Sequence, residues 1–271
     1  MTLSPLAWRA HRFGLSPERW AALAKRTTLV TGAGTGVGAA VATALAAAGA
    51  TVILSGRRSE RLEATRAAMP GLAIDPARAL VLPLDVRDPA AVDAAVADAM
   101  RRAGPIGGVV HAAALPPPPV AWPLAEATPA EWANEMATNV TGPWLVSRAV
   151  LRSARAPSLR MVFMSSSAGW GFAAGFGPYN VSKAAVNSLS ASLAAECAAR
   201  HPDADIQINA VEPGQFQSEM NPGAAMSPYA VVPVLLQLLS HPPGGPTGRF
   251  FQTTGTSLPF GIAAPWTQPL G

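Results

Sequence analysis

The chain has 271 residues, 49% hydrophobic and 13% charged, with a net charge of +4 and a pI near 10.0. This composition and length suit one globular α/β domain. No apolar run reaches the roughly 18 residues of a membrane helix, and the basic residues are scattered rather than arrayed in a stripe, which argues against a nucleic-acid partner. A single cysteine, Cys197, excludes an internal disulfide and a cysteine-based metal cluster. The four histidines, at 11, 111, 201 and 241, lack metal-ligand spacing, so no metal is expected.

The first 25 residues form an N-terminal extension. It lacks the continuous apolar core of a signal peptide, so a cytoplasmic protein is expected. Ser16-Pro17-Glu18 opens a short helix within it. From residue 26 onward, short apolar runs alternate with helical patterns. Strands are predicted at Thr27–Thr31, Thr51–Ser55, Ala79–Leu84, Gly108–Ala113, Arg160–Ser165, Asp205–Val211 and Arg249–Gln252. Most are unbroken apolar segments, as in parallel strands covered on both faces. Helix starts are marked by Ser59-Glu60 and by Asp88-Pro89 and Thr128-Pro129, which place a cap residue before a proline. The alternation predicts an α/β fold: a doubly wound, seven-stranded, mostly parallel sheet with helices on both faces. One domain spans residues 26–253. Leu115–Pro123, with four consecutive prolines, is an extended loop after the fourth strand. Residues 254–271 form a Pro- and Gly-containing tail, packed on the domain or on a partner subunit.

The first strand runs into Thr31-Gly32-Ala33-Gly34-Thr35-Gly36-Val37-Gly38, followed by an Ala-rich helix over Ala39–Ala48. Glycines between a strand and a helix let backbone amides approach a pyrophosphate, and the helix N-terminus adds free N–H groups and a positive dipole end. Gly32, Thr35, Gly36, Val37 and Gly38 are therefore candidate cofactor contacts. The Thr-Gly-x-x-x-Gly-x-Gly spacing resembles the classical short-chain dehydrogenase/reductase family, a Rossmann-type fold, over about residues 26–253.

The second strand ends Ser55-Gly56-Arg57-Arg58, with no acidic residue to hold the adenosine ribose of NAD. The resemblance places Gly56 where the NAD-preferring members carry Asp. Arg57, with Arg58 beside it, offers a guanidinium to a 2′-phosphate, so NADP(H) is expected over NAD(H). The competing reading makes both arginines solvated residues before the next helix. The resemblance also implies that Asp85 and Val86 contact adenine, although Asp85 can equally cap the following turn. His111-Ala112-Ala113-Ala114 departs from the family's Asn-Asn-Ala-Gly. His111 falls at the adenosine ribose site by position, but a structural hydrogen bond suits it better than catalysis.

Tyr179 and Lys183 are four residues apart at the start of a helix running to about Ala199, hence adjacent on one face. A tyrosine ordinarily titrates near 10. A neighbouring ammonium and the positive nicotinamide ring are expected to lower that value and to equip Tyr179 as a general acid–base. The family resemblance adds three residues to this pair. Ser166, thirteen residues before Tyr179, matches the serine that holds the substrate oxygen, with Ser165 and Ser167 as competitors. Asn139 matches the asparagine that holds a water in the relay to the lysine, and Gly142-Pro143 marks a kink after it. Pro213, Gly214, Phe216 and Ser218 match the nicotinamide carboxamide site. Lys183 also binds the nicotinamide ribose in that family.

The resemblance implies an oxidoreductase that moves a hydride between NADP(H) and an alcohol or ketone. It also implies a homodimer or homotetramer built through the helices of Asn139 and Tyr179. The Pro116–Trp122 loop, Trp170, Phe172, Phe176, Phe216 and Met220 are candidate pocket walls, suggesting an apolar carbonyl. The segment from Ser218 to Ser227 is short for a lid, which points to an open site. A catalytically silent, NADP(H)-binding regulatory or scaffold protein is the alternative.

Overall fold

The computed structural model describes residues 11–118, 120–153, 157–171, 174–219 and 221–259. Phe172, Met220 and most of the 254–271 tail, named above, lie outside them. Parallel strands β1 (Thr27–Thr31), β2 (Thr51–Gly56), β3 (Ala79–Pro83), β4 (Ile106–His111), β5 (Ser158–Met164), β6 (Asp205–Val211) and β7 (Arg249–Phe251) make one sheet. Their spatial order is β3-β2-β1-β4-β5-β6-β7. All seven predicted strands are present within about two residues. An eighth, β8 (Ser257–Pro259), pairs antiparallel with β7 and carries the sheet past residue 253.

The order reverses between β1 and β4, so a crevice opens at the carboxyl ends of these strands. Both faces of the strands are buried, which is why their apolar runs do not alternate. One core joins Val30, Val52 and Leu54 to helix α2 (Gly36–Ala47) and helix α8 (Val232–Leu239). The other joins Leu29, Ile53 and Val109 to helices α4 (Pro89–Ala103), α6 (Gly142–Arg152) and α7 (Pro178–Arg200). Cys197 is buried in this second core, as a small apolar filler. Among the described residues no helix is long and apolar enough to cross a membrane.

The caps at Ser16, Asp88 and Thr128 all form, the last as a full capping box. The one expected at Ser59 does not. Arg58 holds the extended cap conformation without a side-chain bond, and Ser59 is already the first residue of helix α3 (Ser59–Ala68). The N-terminal helix α1 (Pro17–Ala24) lies on the domain: Leu23 is fully buried, and Arg19 donates to the carbonyl of Gln237 on α8. At the opposite end of the sheet from the crevice, Arg160 is buried. It bonds Asp205 at 2.6 Å and the carbonyl of His241 at 2.7 Å. A buried guanidinium is tolerated only when its donors are satisfied in this way.

Candidate active site

The glycine turn is shaped by contacts a side chain would break. Gly32 has φ +67°, and an added Cβ would lie 2.7 Å from the backbone N of Ala113. A Cβ on Gly38 would meet the carbonyl oxygen of Gly32 at 2.2 Å. Gly38 therefore brings helix α2 against the turn and does not line the crevice, which corrects the contact expected of it. Helix α2 begins at Gly36, a turn earlier than expected, with Thr35 as an extended N-cap whose side chain caps nothing. The first-turn amides of α2 are thus left for a ligand at the positive end of the helix dipole.

The crevice has a volume of about 630 Å³ and runs from Arg57 past the glycine turn to Tyr179. Gly32, Thr35, Gly36 and Val37 line it, as do Arg57, Arg58, Asp85 and Val86. Pro213, Gly214, Phe216 and Ser218 form the far wall, and the ring of Phe216 lies over Gly36. Asp85 is chelated by Arg87, which donates from Nε at 3.0 Å and Nη2 at 2.6 Å while its backbone N–H bonds the same carboxylate. These bonds hold the Asp85 carboxyl below its ordinary value. The turn-capping reading of Asp85 is therefore realised at a position that also faces the crevice.

His111 does not reach the crevice. Its Nε2 pairs with Ser147 Oγ at 2.9 Å and its ring packs on Phe163 at 4.3 Å. Burial pushes its pKa down to about 3, so the ring is neutral. The cofactor contact expected of its side chain is corrected, because at this position the strand turns the side chain into the helix α6 layer. The backbone of Ala112 and Ala113 takes the crevice wall in its place.

Tyr179 and Lys183 stand one above the other at the start of α7, with Lys183 Nζ 5.5 Å from the Tyr179 ring centre. Lys183 donates to the carbonyl of Met164 at 3.0 Å. Ser166 and Tyr179 line the crevice together, and Ser166 acts to lower the pKa of the Tyr179 phenol. All three serines line the crevice, but Ser165 donates into the protein, to Asn187 Oδ1 at 2.5 Å, while Ser166 caps the short turn that Ser167 begins. Gly169 explains the tight spacing: a Cβ there would lie 2.8 Å from the Lys183 carbonyl, so only glycine lets this turn press on α7.

The electrostatics differ from expectation. Burial pushes the Tyr179 phenol up to about 12, against the lowering effect of Ser166. Burial brings Lys183 down to about 8. In this state Tyr179 is a neutral phenol: desolvation, aided by the Glu135 carboxylate, outweighs the lowering influence of Ser166.

Asn139 lies in a π turn (Ala137–Thr141) between helix α5 (Pro129–Met136) and α6. The kink anticipated at Gly142-Pro143 is this turn, a distortion common at functional sites. Asn139 Oδ1 accepts from Leu115 N at 2.7 Å and its Nδ2 bonds Ser182 Oγ at 3.1 Å and the carboxylate of Glu135. It stands behind the crevice, whose wall is Thr138. Glu135 is a buried carboxylate that sequence reasoning missed. Its spacing of four from Asn139 was the available signal.

Among the expected pocket walls, Pro116, Pro117, Phe176 and Phe216 line the crevice. Trp170 does not. It stands edge-on to Phe250 of β7 at 5.4 Å. From the start of the Ser218–Ser227 segment, Glu219 bonds both Arg58 and Arg61, at the end of the crevice away from Tyr179.

A family model described as short chain dehydrogenase matches residues 26–226. The chain belongs to this family. Short-chain dehydrogenases bind NAD(P), and this one is an oxidoreductase acting on CH–OH and C=O groups. Among its relatives, gluconate 5-dehydrogenase of Gluconobacter oxydans is 32% identical over 73% of this chain and 74% of its own. Sorbitol dehydrogenase of Cereibacter sphaeroides is 33% identical over 86% of this chain and 89% of its own. A solved short chain dehydrogenase from Shigella flexneri, complexed with NADP, superposes with a TM-score of 0.73 at 27% identity, covering 84% of this chain and 97% of that one.

Proposed function

We propose that this short-chain dehydrogenase interconverts NADPH, a proton and an apolar ketone or aldehyde with oxidised NADP and the alcohol, with Ser166, Tyr179 and Lys183 as its catalytic residues and Asn139 as their support. The observation that carries the reading is the convergence of Ser166, Tyr179 and a buried Lys183, its Nζ 5.5 Å from the Tyr179 ring centre, in a crevice that begins at a glycine turn. The bound cofactor supplies or takes the hydride. Ser166 holds the substrate oxygen next to Tyr179. In reduction, Tyr179 donates its phenolic proton to that oxygen as the carbonyl becomes an alcohol. Lys183 binds the nicotinamide ribose hydroxyls and places its charge beneath the phenol, which lowers the cost of the transient phenolate.

Three features support NADP(H) over NAD(H). β2 ends at Gly56 without a carboxylate, Arg57 lines the crevice, and no ion pair of Arg57 exists among the described residues. Apolar walls at Pro116, Pro117, Phe176 and Phe216 support an apolar substrate, in contrast to the polyhydroxylated compounds named for the two relatives. The half-exposed Trp132 and Trp144, on the helices flanking Asn139, support a homodimer or homotetramer through that face.

The test is a cofactor-absorbance assay against a panel of ketones, aldehydes and alcohols, with Tyr179→Phe as control. Turnover with at least one apolar carbonyl is expected, falling about 10²–10⁴-fold in the variant. Tight NADPH binding with no turnover on any panel member would replace this reading with a regulatory, cofactor-binding role.

A further inference from the structure

Helix α5 delivers a carboxylate to the back of the catalytic residues. Glu135 is 6% exposed, and its Oε1 accepts from Asn139 Nδ2 and from Ser182 Oγ at 3.3 Å. Ser182 lies on α7 between Tyr179 and Lys183, and its hydroxyl also reaches the Tyr179 carbonyl at 2.8 Å. One buried carboxylate thus contacts both the π turn and the catalytic helix.

A carboxylate removed from water costs several kcal/mol unless it meets charge or donors. Among the described residues, no arginine or lysine forms an ion pair with Glu135. Its donors are the neutral Asn139 and Ser182. The groups facing it from the packed elements can be named in turn. Helix α7 presents Tyr179 and Lys183, and the π turn presents only the uncharged Asn139. The segment after β3 presents Arg87, which bonds the adjacent Asn134 at 2.9 Å and is already committed to Asp85. The cation whose charge acts on the carboxylate is Lys183, which follows Ser182 directly on α7 and makes no ion pair among the described residues.

We propose that Glu135 is a positioning residue of the acid–base site: held by Asn139 and Ser182, it is the buried counter-charge of Lys183 and sets the pH range over which the Tyr179–Lys183 pair works. The proposal rests on the acid–base assignment of that pair. Two opposing influences act on Glu135: burial raises its own pKa, and the Lys183 charge pulls it down. In return its negative charge favours the ammonium of Lys183 and disfavours the phenolate of Tyr179. Removing that charge lowers the pKa of both partners. A purely structural glutamate, valued only for its bonds to Asn139 and Ser182, has no such effect.

Glu135→Gln keeps the size and the hydrogen bonds and removes the charge. The measurement is the pH profile of kcat/KM for the best substrate of the panel, together with phenolate absorbance. The chain has two tyrosines, so a Tyr229→Phe background leaves Tyr179 as the only phenol. The alkaline limb, where activity falls as Lys183 loses its proton, is expected to move down by about one pH unit. The Tyr179 phenolate signal moves in the same direction. Glu135→Asp, which retains the charge, keeps the limb near that of the wild type. Glu135→Met makes the same test should the amide variant not fold. A uniform loss of kcat with unmoved limbs in the charge-removing variants overturns the proposal. Full activity in Tyr179→Phe instead overturns the acid–base assignment beneath it.

Discussion

Glu219 reaches across the crevice mouth to Arg58, with carboxylate oxygen and guanidinium nitrogen 2.8 Å apart, and its other oxygen takes Arg61 at 2.6 Å. Of the two adjacent arginines that could receive a 2′-phosphate, one is thus already engaged. Arg57 is the better candidate. Arg57→Ala is expected to lower kcat/KM for NADPH at least tenfold, the scale of a lost charge-assisted hydrogen bond, and to leave NADH nearly unchanged. Steady-state kinetics with both cofactors decide the matter. Equal losses for the two would remove Arg57 from the phosphate site.

The same clasp makes a second prediction. Both partners are roughly half exposed, so solvent screens the pair and it adds little to stability. Its carboxylate also stands near where an incoming phosphate would lie. Glu219→Gln should leave the melting temperature within a degree or two. It should tighten NADPH several-fold at low salt, with the gain fading as salt screens the repulsion. Fluorescence titration at two ionic strengths reads this directly, and an affinity that falls instead would show that Glu219 helps close the site over its cofactor.

Gly38 separates packing from binding. Its added Cβ would press on a backbone oxygen that cannot rotate away, so Gly38→Ala must displace either α2 or the glycine turn. A cost of about 1–3 kcal/mol in stability is expected, with a tenfold or greater loss of NADPH affinity, although Gly38 itself does not line the crevice. Gly71→Ala, where nothing lies within 4 Å, serves as the neutral control. Thermal melts and NADPH titrations of the two variants side by side make the comparison.

His111 predicts acid sensitivity. The unfolded chain protonates it near its ordinary 6.5, the folded chain only near 3. Above 6.5 the two states bind the same number of protons and His111 adds no slope. As pH falls from 6.5 toward 3, the unfolded state gains a proton that the fold refuses, and stability drops by about 1.4 kcal/mol per pH unit from this group. His111→Asn removes the titration while leaving a polar partner for Ser147. Denaturant unfolding between pH 7 and pH 4 should give a shallower loss in the variant than in wild type. Parallel curves would mean that His111 is solvated or already charged in the fold.

The legible parts of this protein were those written in local spacing. Thr31–Gly38 between a strand and a helix, and Tyr179 four residues before Lys183, each carry their geometry in a single stretch of chain. Ser166 needed the spacing between two stretches, and three serines competed until the fold buried Ser165 against Asn187. What stayed hidden depends on burial and on partners far along the chain. The pKa of Tyr179 was expected to fall because its neighbour is visible in sequence, whereas the desolvation that raises it is not. Glu135 reads as one of two acidic residues in a short polar helix, and only the packing of α5 on α7 removes it from water. Glu219 meets Arg58 across 161 residues, beyond any local pattern. The strand β8 is three residues long inside a Pro- and Gly-containing stretch, too short for a periodicity to register.

The proline-rich loop after β4 does not hang free. Trp122 N donates to the carbonyl of Gly175 at 2.9 Å, Gly177 N donates to the carbonyl of Trp122 at 2.9 Å, and a Cβ on Gly177 would lie 2.6 Å from the indole. The two segments that flank the substrate end, one led by Pro116 and the other carrying Phe176, are therefore stitched together by main-chain bonds. They behave as a fixed frame more than as two flaps. A pocket built this way selects substrates by girth set in advance, and widening it requires coordinated change on both strands of the stitch. Single substitutions along the prolines would then alter the lining without altering the aperture.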